Sequence, residues 1–225
     1  MTLSIITGAT GGLGRALADA LEHTGHPILR LGRTTTPPLD LLNESTIAQA
    51  ATQAAALGDI RLLLDATGFL HNAQFRPERS LKELDPAHMA HAFAINAIGP
   101  ALLLKHFVPA FPRKGRVVFA TLSARVGSIA DNRLGGWYSY RAAKAALNQL
   151  VHTAAIELRR HNPDAICVAL HPGTVDTPLS TPFAKRDLNT RPPDIAARDI
   201  LAVIAGLTPA HTGGFFDQTG APIPW

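Results

Sequence analysis

Cysteine is almost absent: Cys167 stands alone in 225 residues, so no internal disulfide can form. A reducing, cytoplasmic setting agrees with that, and the apolar run Ala165–Leu170 around it predicts a buried thiol rather than a nucleophile. No uninterrupted apolar run approaches the roughly 18 residues of a membrane span, so none is expected. The first residues, MTLSIITGAT, lack the basic start and small-residue cleavage site of an export signal. No HExxH and no paired Cys/His spacing occurs among the 10 histidines, which predicts no structural metal. The formal charge of +4 is spread in ones and twos, as in Arg113-Lys114, Arg159-Arg160 and Lys185-Arg186. A nucleic-acid footprint needs those cations on one face or in one run, so no nucleic-acid partner is expected.

Charged residues make up 17% and hydrophobic residues 46%, a balance that argues for a packed core rather than disorder. The length suits one domain over residues 1–225, burying about 70% of its unfolded surface. Short apolar runs alternate with longer helical patterns, the signature of βα units and a parallel sheet. Strands are expected at Leu3–Thr7, Pro27–Leu31, Ile60–Ala66, Arg116–Leu122, Ala165–Leu170 and Gly213–Phe216. Helices are expected at Leu13–His23, Asn43–Leu57, Asp85–Phe107, Tyr138–His161 and Pro193–Leu207. Asn43 or Ser45 caps the second and Asp85 the third, with a kink at Gly99-Pro100. The fold class is therefore a Rossmann-like, doubly wound parallel α/β sheet. Thr174–Pro193, rich in Pro and Thr, reads as a mobile lid.

Thr7-Gly8-Ala9-Thr10-Gly11-Gly12-Leu13-Gly14 lies between the first strand and its helix. A dinucleotide pyrophosphate needs a tight turn, close backbone approach and a helix N-terminus, and glycines supply all three. The same loop could also be a bare strand-to-helix turn. After strand two the chain offers Gly32-Arg33-Thr34 and no acid. An aspartate there would bond a free ribose hydroxyl, whereas Arg33 offers donors to a 2′-phosphate, favouring NADP(H) over NAD(H). An arginine stacked on adenine would serve either cofactor.

Tyr140 and Lys144 stand four apart on a predicted helix, hence on one face. An ammonium beside a phenol is expected to draw its pKa down from about 10 toward the working range. Tyr138 is the competing phenol, without a lysine four residues on.

Together these motifs resemble the short-chain dehydrogenase/reductase family over essentially the whole chain. Its loop TGxxxGxG matches Thr7–Gly14, and its YxxxK matches Tyr140 and Lys144. The resemblance implies hydride exchange at a nicotinamide, with Tyr140 passing the proton and Lys144 also holding the ribose. The substrate would be a small-molecule carbonyl or alcohol. The family's asparagine matches Asn96 and implies a water held between backbone and lysine; a helix-bending role is the plainer reading. The serine segment SSxxG appears as Ser123-Ala124-Arg125-Val126-Gly127, so Ser123 is the candidate to bond the substrate oxygen. Ser128 and Thr121 are the alternatives, and the second serine position falls on Ala124. NNAG appears as Asp65-Ala66-Thr67-Gly68, which keeps backbone for the adenosine at Ala66, Thr67 and Gly68 but loses both amides and the local stability they give.

Asp40 matches the aspartate that touches adenine. Pro172, Gly173, Val175 and Thr177 match PGxxxT, implying a grip on the carboxamide. The resemblance puts a substrate roof over Thr177 to about Asn189, with Leu179, Pro182 and Phe183 beside Lys185 and Arg186. It also implies a homodimer or homotetramer through the helices around 87–107 and 137–158. Within the family, LSARVGSI, DNRLGGWYSY and GGFFDQTGAPIPW resemble its small C-factor-like members, linked to signalling as well as carbonyl reduction. A cofactor-binding sensor with little turnover is the alternative reading.

Overall fold

The computed structural model describes residues 2–183 and 190–225. Six strands, β1 (Thr2–Thr7), β2 (Ile28–Leu31), β3 (Asp59–Asp65), β4 (Val117–Leu122), β5 (Ala165–His171) and β6 (Phe215–Asp217), form one sheet in the order β2-β1-β3-β4-β5-β6. All pairings are parallel. β4 is buried at every position, as a central strand covered on both faces must be.

Helices α1 (Gly12–Glu22) and α6 (Pro193–Gly206) cover one face, packing Leu13, Leu17, Ile200 and Ile204 onto the sheet. The other face carries α2 (Glu44–Leu57), α4 (Gly99–Phe107) and α5 (Tyr138–His161), which contribute Ile47, Leu103, Phe107, Leu147 and Val151. Asn43 caps α2 through its bond from the Ser45 N–H, at 3.2 Å. Strand order reverses between β1 and β3. A crevice therefore opens outside the carboxyl ends of those strands, where α/β sheets bind ligands.

The long helix beginning at residue 86 departs from expectation. α3 (Pro86–Phe93), capped by Asp85, passes through a π-helical turn at Ala94–Ile98 before α4 begins at Gly99. The irregularity thus precedes Gly99-Pro100 rather than sitting on it. Proline at 100 has no N–H to give the carbonyl four residues back, which belongs to Asn96. The widened turn absorbs the misfit, with the Gly99 N–H bonding Ala94. Within the helical run Pro86–Ala110 an 18-residue window has a mean hydropathy of 1.3, by length and composition alone apolar enough to cross a membrane. His88, His91 and Asn96 interrupt it as a sequence run. In the fold its α4 part buries Leu103 and Phe107 fully against the sheet.

The expected lid, Thr174–Pro193, is described at its two ends. Asp176 and Arg191 form a backbone bond of 2.8 Å, as do Arg191 and Thr174, so both ends of the segment are pinned. Its roof residues Lys185, Arg186 and Asn189 lie outside the described residues.

Candidate active site

The glycine loop is shaped by close approach. Gly8 has φ +71, and a Cβ there would stand 2.8 Å from the Ala66 carbonyl oxygen. At Gly12 a Cβ would stand 2.8 Å from the Thr177 methyl, so the first loop touches the PGxxxT loop. Gly14 faces Gly8 with no room for a side chain. α1 starts at Gly12 with no acidic residue in its first turn and no side-chain cap. Its first N–H groups are thus left for an anion, and the cradle fits a pyrophosphate. Leu13 is buried beneath, and Thr10 is exposed on the rim beside Gly32.

Arg33 is exposed just beyond β2 and makes no hydrogen bond among the described residues, as a phosphate-reading guanidinium requires. Asp40 bonds the Leu42 N–H through one carboxylate oxygen at 3.0 Å. Pro172 and Gly173, with φ +77 at the glycine, turn the chain after β5, and Val175 is buried. Thr177 lies 3.3 Å from the Ser180 hydroxyl.

Asp65 overturns the expectation of lost stability at the third strand. Its fully buried carboxylate accepts from the hydroxyls of Thr7 at 2.7 Å, Thr67 at 2.6 Å and Thr121 at 2.7 Å, and from the Thr67 N–H at 3.0 Å. One side chain ties β1, β4 and the Ala66-Thr67-Gly68 turn together. Gly68 faces the Asn96 side chain, whose Oδ1 would lie 3.6 Å from a Cβ there.

On α5, Tyr140 is half-buried and Lys144 buried, with the ammonium 5.9 Å from the phenol ring centroid. Lys144 Nζ donates to the Leu122 carbonyl at 2.8 Å. Burial lowers its pKa to about 8, partly opposed by the negative charge of Asp65. The expected depression of the phenol is not found. Burial pushes Tyr140 up to about 12 through lost hydration. Asn96, inside the π turn, accepts from the Phe69 N–H at 2.9 Å and donates to the Phe69 carbonyl at 2.8 Å. Its amide thus clasps the loop that follows Gly68.

The serine assignment meets an obstacle. Ser123 donates its hydroxyl to Asn148 Oδ1 at 2.7 Å, and both residues are buried. Asn148 lies two turns beyond Tyr140 on α5, about 12 Å along the axis. Ser128 bonds the Pro224 carbonyl, and Thr121 is held by Asp65. All three hydroxyls are committed to the protein interior.

Several participants escaped the sequence reading. Glu78, buried in the loop after β3, accepts from the Ser139 N–H at 3.2 Å and from its hydroxyl, and pairs with His88 at 3.2 Å. Trp137 and His71 line a cleft beside Tyr140. His171 keeps a buried Nδ1 without a partner among the described residues, and burial pushes its pKa down to about 4. A buried acid in a polar loop was the available signal for Glu78.

Residues 15–192 match the family described as enoyl-(acyl carrier protein) reductase. The chain belongs to the short-chain dehydrogenase/reductase family. It is an oxidoreductase of that NAD(P)-dependent type. It is 40% identical over 147 residues to the C-signal of Myxococcus xanthus, covering 65% of this chain and 84% of that protein. It is 27% identical to the 1-hydroxy-2-glutathionyl-2-methyl-3-butene dehydrogenase of Rhodococcus sp. over the full length of both. Among solved structures, NADPH-bound carbonyl reductase from chicken fatty liver superposes with a TM-score of 0.86 at 23% identity, over 100% of this chain and 98% of that one. The likeness to that structure is one of fold.

Proposed function

We propose that this short-chain dehydrogenase/reductase interconverts a small-molecule carbonyl and its alcohol, using NADP(H) in preference to NAD(H). One relationship carries the reading. Asp65 bonds Thr7, the residue before the glycine cradle, and its charge acts on Lys144, which supports reading the cradle and the tyrosine–lysine pair as one site. Bound NADP(H) supplies or accepts the hydride. Gly8, Gly12, Leu13 and Gly14 would hold its pyrophosphate, Arg33 its 2′-phosphate, Asp40 and Ala66–Gly68 its adenosine side, and Pro172–Thr177 its carboxamide.

A phenol with its pKa near 12 carries its proton at neutral pH but is a weak acid, so the Lys144 charge would have to stabilise the phenolate as the proton passes to a carbonyl oxygen. Lys144 sets a positive charge behind that phenol, fixed by the Leu122 carbonyl. Asn96 keeps its side chain on Phe69. Its backbone carbonyl, which Pro100 cannot supply with an N–H, would be the acceptor for a water on the way to solvent. Ser123 would have to leave Asn148 to meet the substrate. Ile98 and Ile156, 53% and 50% exposed on the α4–α5 side, support a homodimer or homotetramer there.

Coenzyme oxidation with a carbonyl panel tests this reading. Tyr140→Phe is expected to lose about 10²- to 10⁴-fold in turnover while NADPH binding persists. Arg33→Ala is expected to weaken NADPH more than NADH. The committed Ser123 hydroxyl and the likeness to C-signal favour a second reading, a cofactor-binding sensor. NADPH binding without turnover in the wild type, matched by Tyr140→Phe, would decide for it.

A further inference from the structure

Trp137, whose ring abuts that of Tyr140, lines a cleft of about 690 Å³ whose walls are more selective than carbonyl chemistry requires. An aromatic arc begins at the phenol. The Trp137 ring stands edge-on to Tyr140 at 6.2 Å between centroids and to Phe183 at 5.5 Å, and Phe183 meets His71 at 5.2 Å. These edge-to-face contacts fix the rings that line the cleft.

The arc is anchored at both ends. Trp137, with φ 53, gives its N–H to the Glu78 carbonyl at 2.5 Å, and His71 Nε2 lies 3.1 Å from the Pro178 carbonyl. Neither anchor uses a ring face.

The lining is cationic as well as aromatic. Arg76 and Arg79 both line the cleft and are exposed, and no carboxylate among the described residues pairs with either. Among the described lining residues the one acid is Glu83, and it accepts from the Arg79 backbone N–H at 2.8 Å. A guanidinium matches a carboxylate bidentately, and beside apolar walls that match gains strength.

We propose that the cleft selects aromatic carbonyl compounds that carry a carboxylate. The ring lies against Trp137 and Phe183, the carbonyl faces Tyr140, and the acid meets Arg76 and Arg79. In reduction the carbonyl carbon gains the hydride of NADPH and its oxygen gains the Tyr140 proton, so the arginines only orient the substrate. This inference rests on the oxidoreductase reading above and adds its substrate class.

Purified full-length protein would be assayed for NADPH oxidation with 4-carboxybenzaldehyde, its methyl ester, and succinic semialdehyde as an acid without a ring. The expected result is a kcat/KM for the aromatic acid at least about tenfold above both others, carried mainly by KM. Arg76→Gln with Arg79→Gln should bring the acid-to-ester ratio to about one, and added salt should lower it in the wild type. Trp137→Leu should erase the advantage over succinic semialdehyde, with circular dichroism reporting whether that variant folds. Quenching of tryptophan fluorescence by benzoate in the wild type, lost in the double arginine variant, reads the same site without turnover. Equal rates for acid and ester, or for the aromatic and aliphatic acids, overturn this proposal alone. Absence of oxidation with every carbonyl overturns the oxidoreductase reading and this proposal with it.

Discussion

The carboxylate of Glu78 accepts both the N–H and the hydroxyl of Ser139, the residue immediately before Tyr140. A buried acid from the loop after β3 thereby holds the first turn of α5, where the positive end of the helix favours a negative charge. Glu78→Ala strands the Ser139 donors and is expected to cost about 3 kcal/mol in urea unfolding. Glu78→Gln keeps the shape and one acceptor, so it should recover most of the stability. A positioning role further predicts that the alanine variant loses more in kcat than in KM, and that glutamine restores the ratio. Equal kinetics in all three proteins would leave Glu78 a purely structural anchor.

Lys144 gives the stability a pH signature. Burial takes it from 10.5 to about 8, so its charged form is penalised in the folded state by about 3 kcal/mol. Below pH 8 both states are protonated and the penalty is present in full. Between about 8 and 10.5 the unfolded chain holds more protons than the native one, and the penalty fades as pH rises. Cys167, raised from 9.0 to about 12, and Tyr140, raised from 10.0 to about 12, act in the opposite sense above pH 9. Comparing Lys144→Met with wild type cancels those two. The advantage of the variant in urea unfolding should shrink across that window, and a constant difference would contradict a buried ammonium. Carbonyl reduction should fall above pH 8 as the same proton leaves.

Asp65 couples to that titration. Asp65→Asn removes the charge that holds the Lys144 pKa up, so the falling limb of activity should move to lower pH. The amide also presents two donors to hydroxyls and an N–H that already donate, at an expected cost of about 1–3 kcal/mol. An unmoved limb would show that Asp65 is electrically remote from the site.

Ser123 and Ala124 should respond in opposite directions. Ser123→Ala leaves the Asn148 oxygen buried without a donor, an expected loss of about 1–3 kcal/mol in stability with less than threefold change in kcat. Ala124→Ser, at the half-buried position where the family's second serine falls, should raise kcat by about tenfold through a new donor to the substrate oxygen. A large kcat loss in Ser123→Ala would return that hydroxyl to the reacting centre.

The sheet was legible because Leu3–Thr7, Ile60–Ala66 and Arg116–Leu122 are short apolar runs that only a strand covered on both faces accommodates. The glycine loop was legible because three sterically forced positions fall within seven residues, Gly8 to Gly14. Directions of side chains were less so. Whether Ser123 or Ala124 faces the cleft depends on how the chain leaves β4, which no pattern of residue types records. Glu78, an acid in a loop without periodicity, left only a faint signal, because its partner Ser139 is 61 residues away on α5. The pKa of Tyr140 was misread for a related reason. Spacing of four brings an ammonium near a phenol but does not say how far burial strips that phenol of water.

The contact between Gly12 and Thr177 means that the two ends of an extended coenzyme would be gripped by parts that already lean on each other. A methyl group added at position 12 should therefore wedge these neighbours apart, and its mark would be written at the nicotinamide end as readily as at the phosphates.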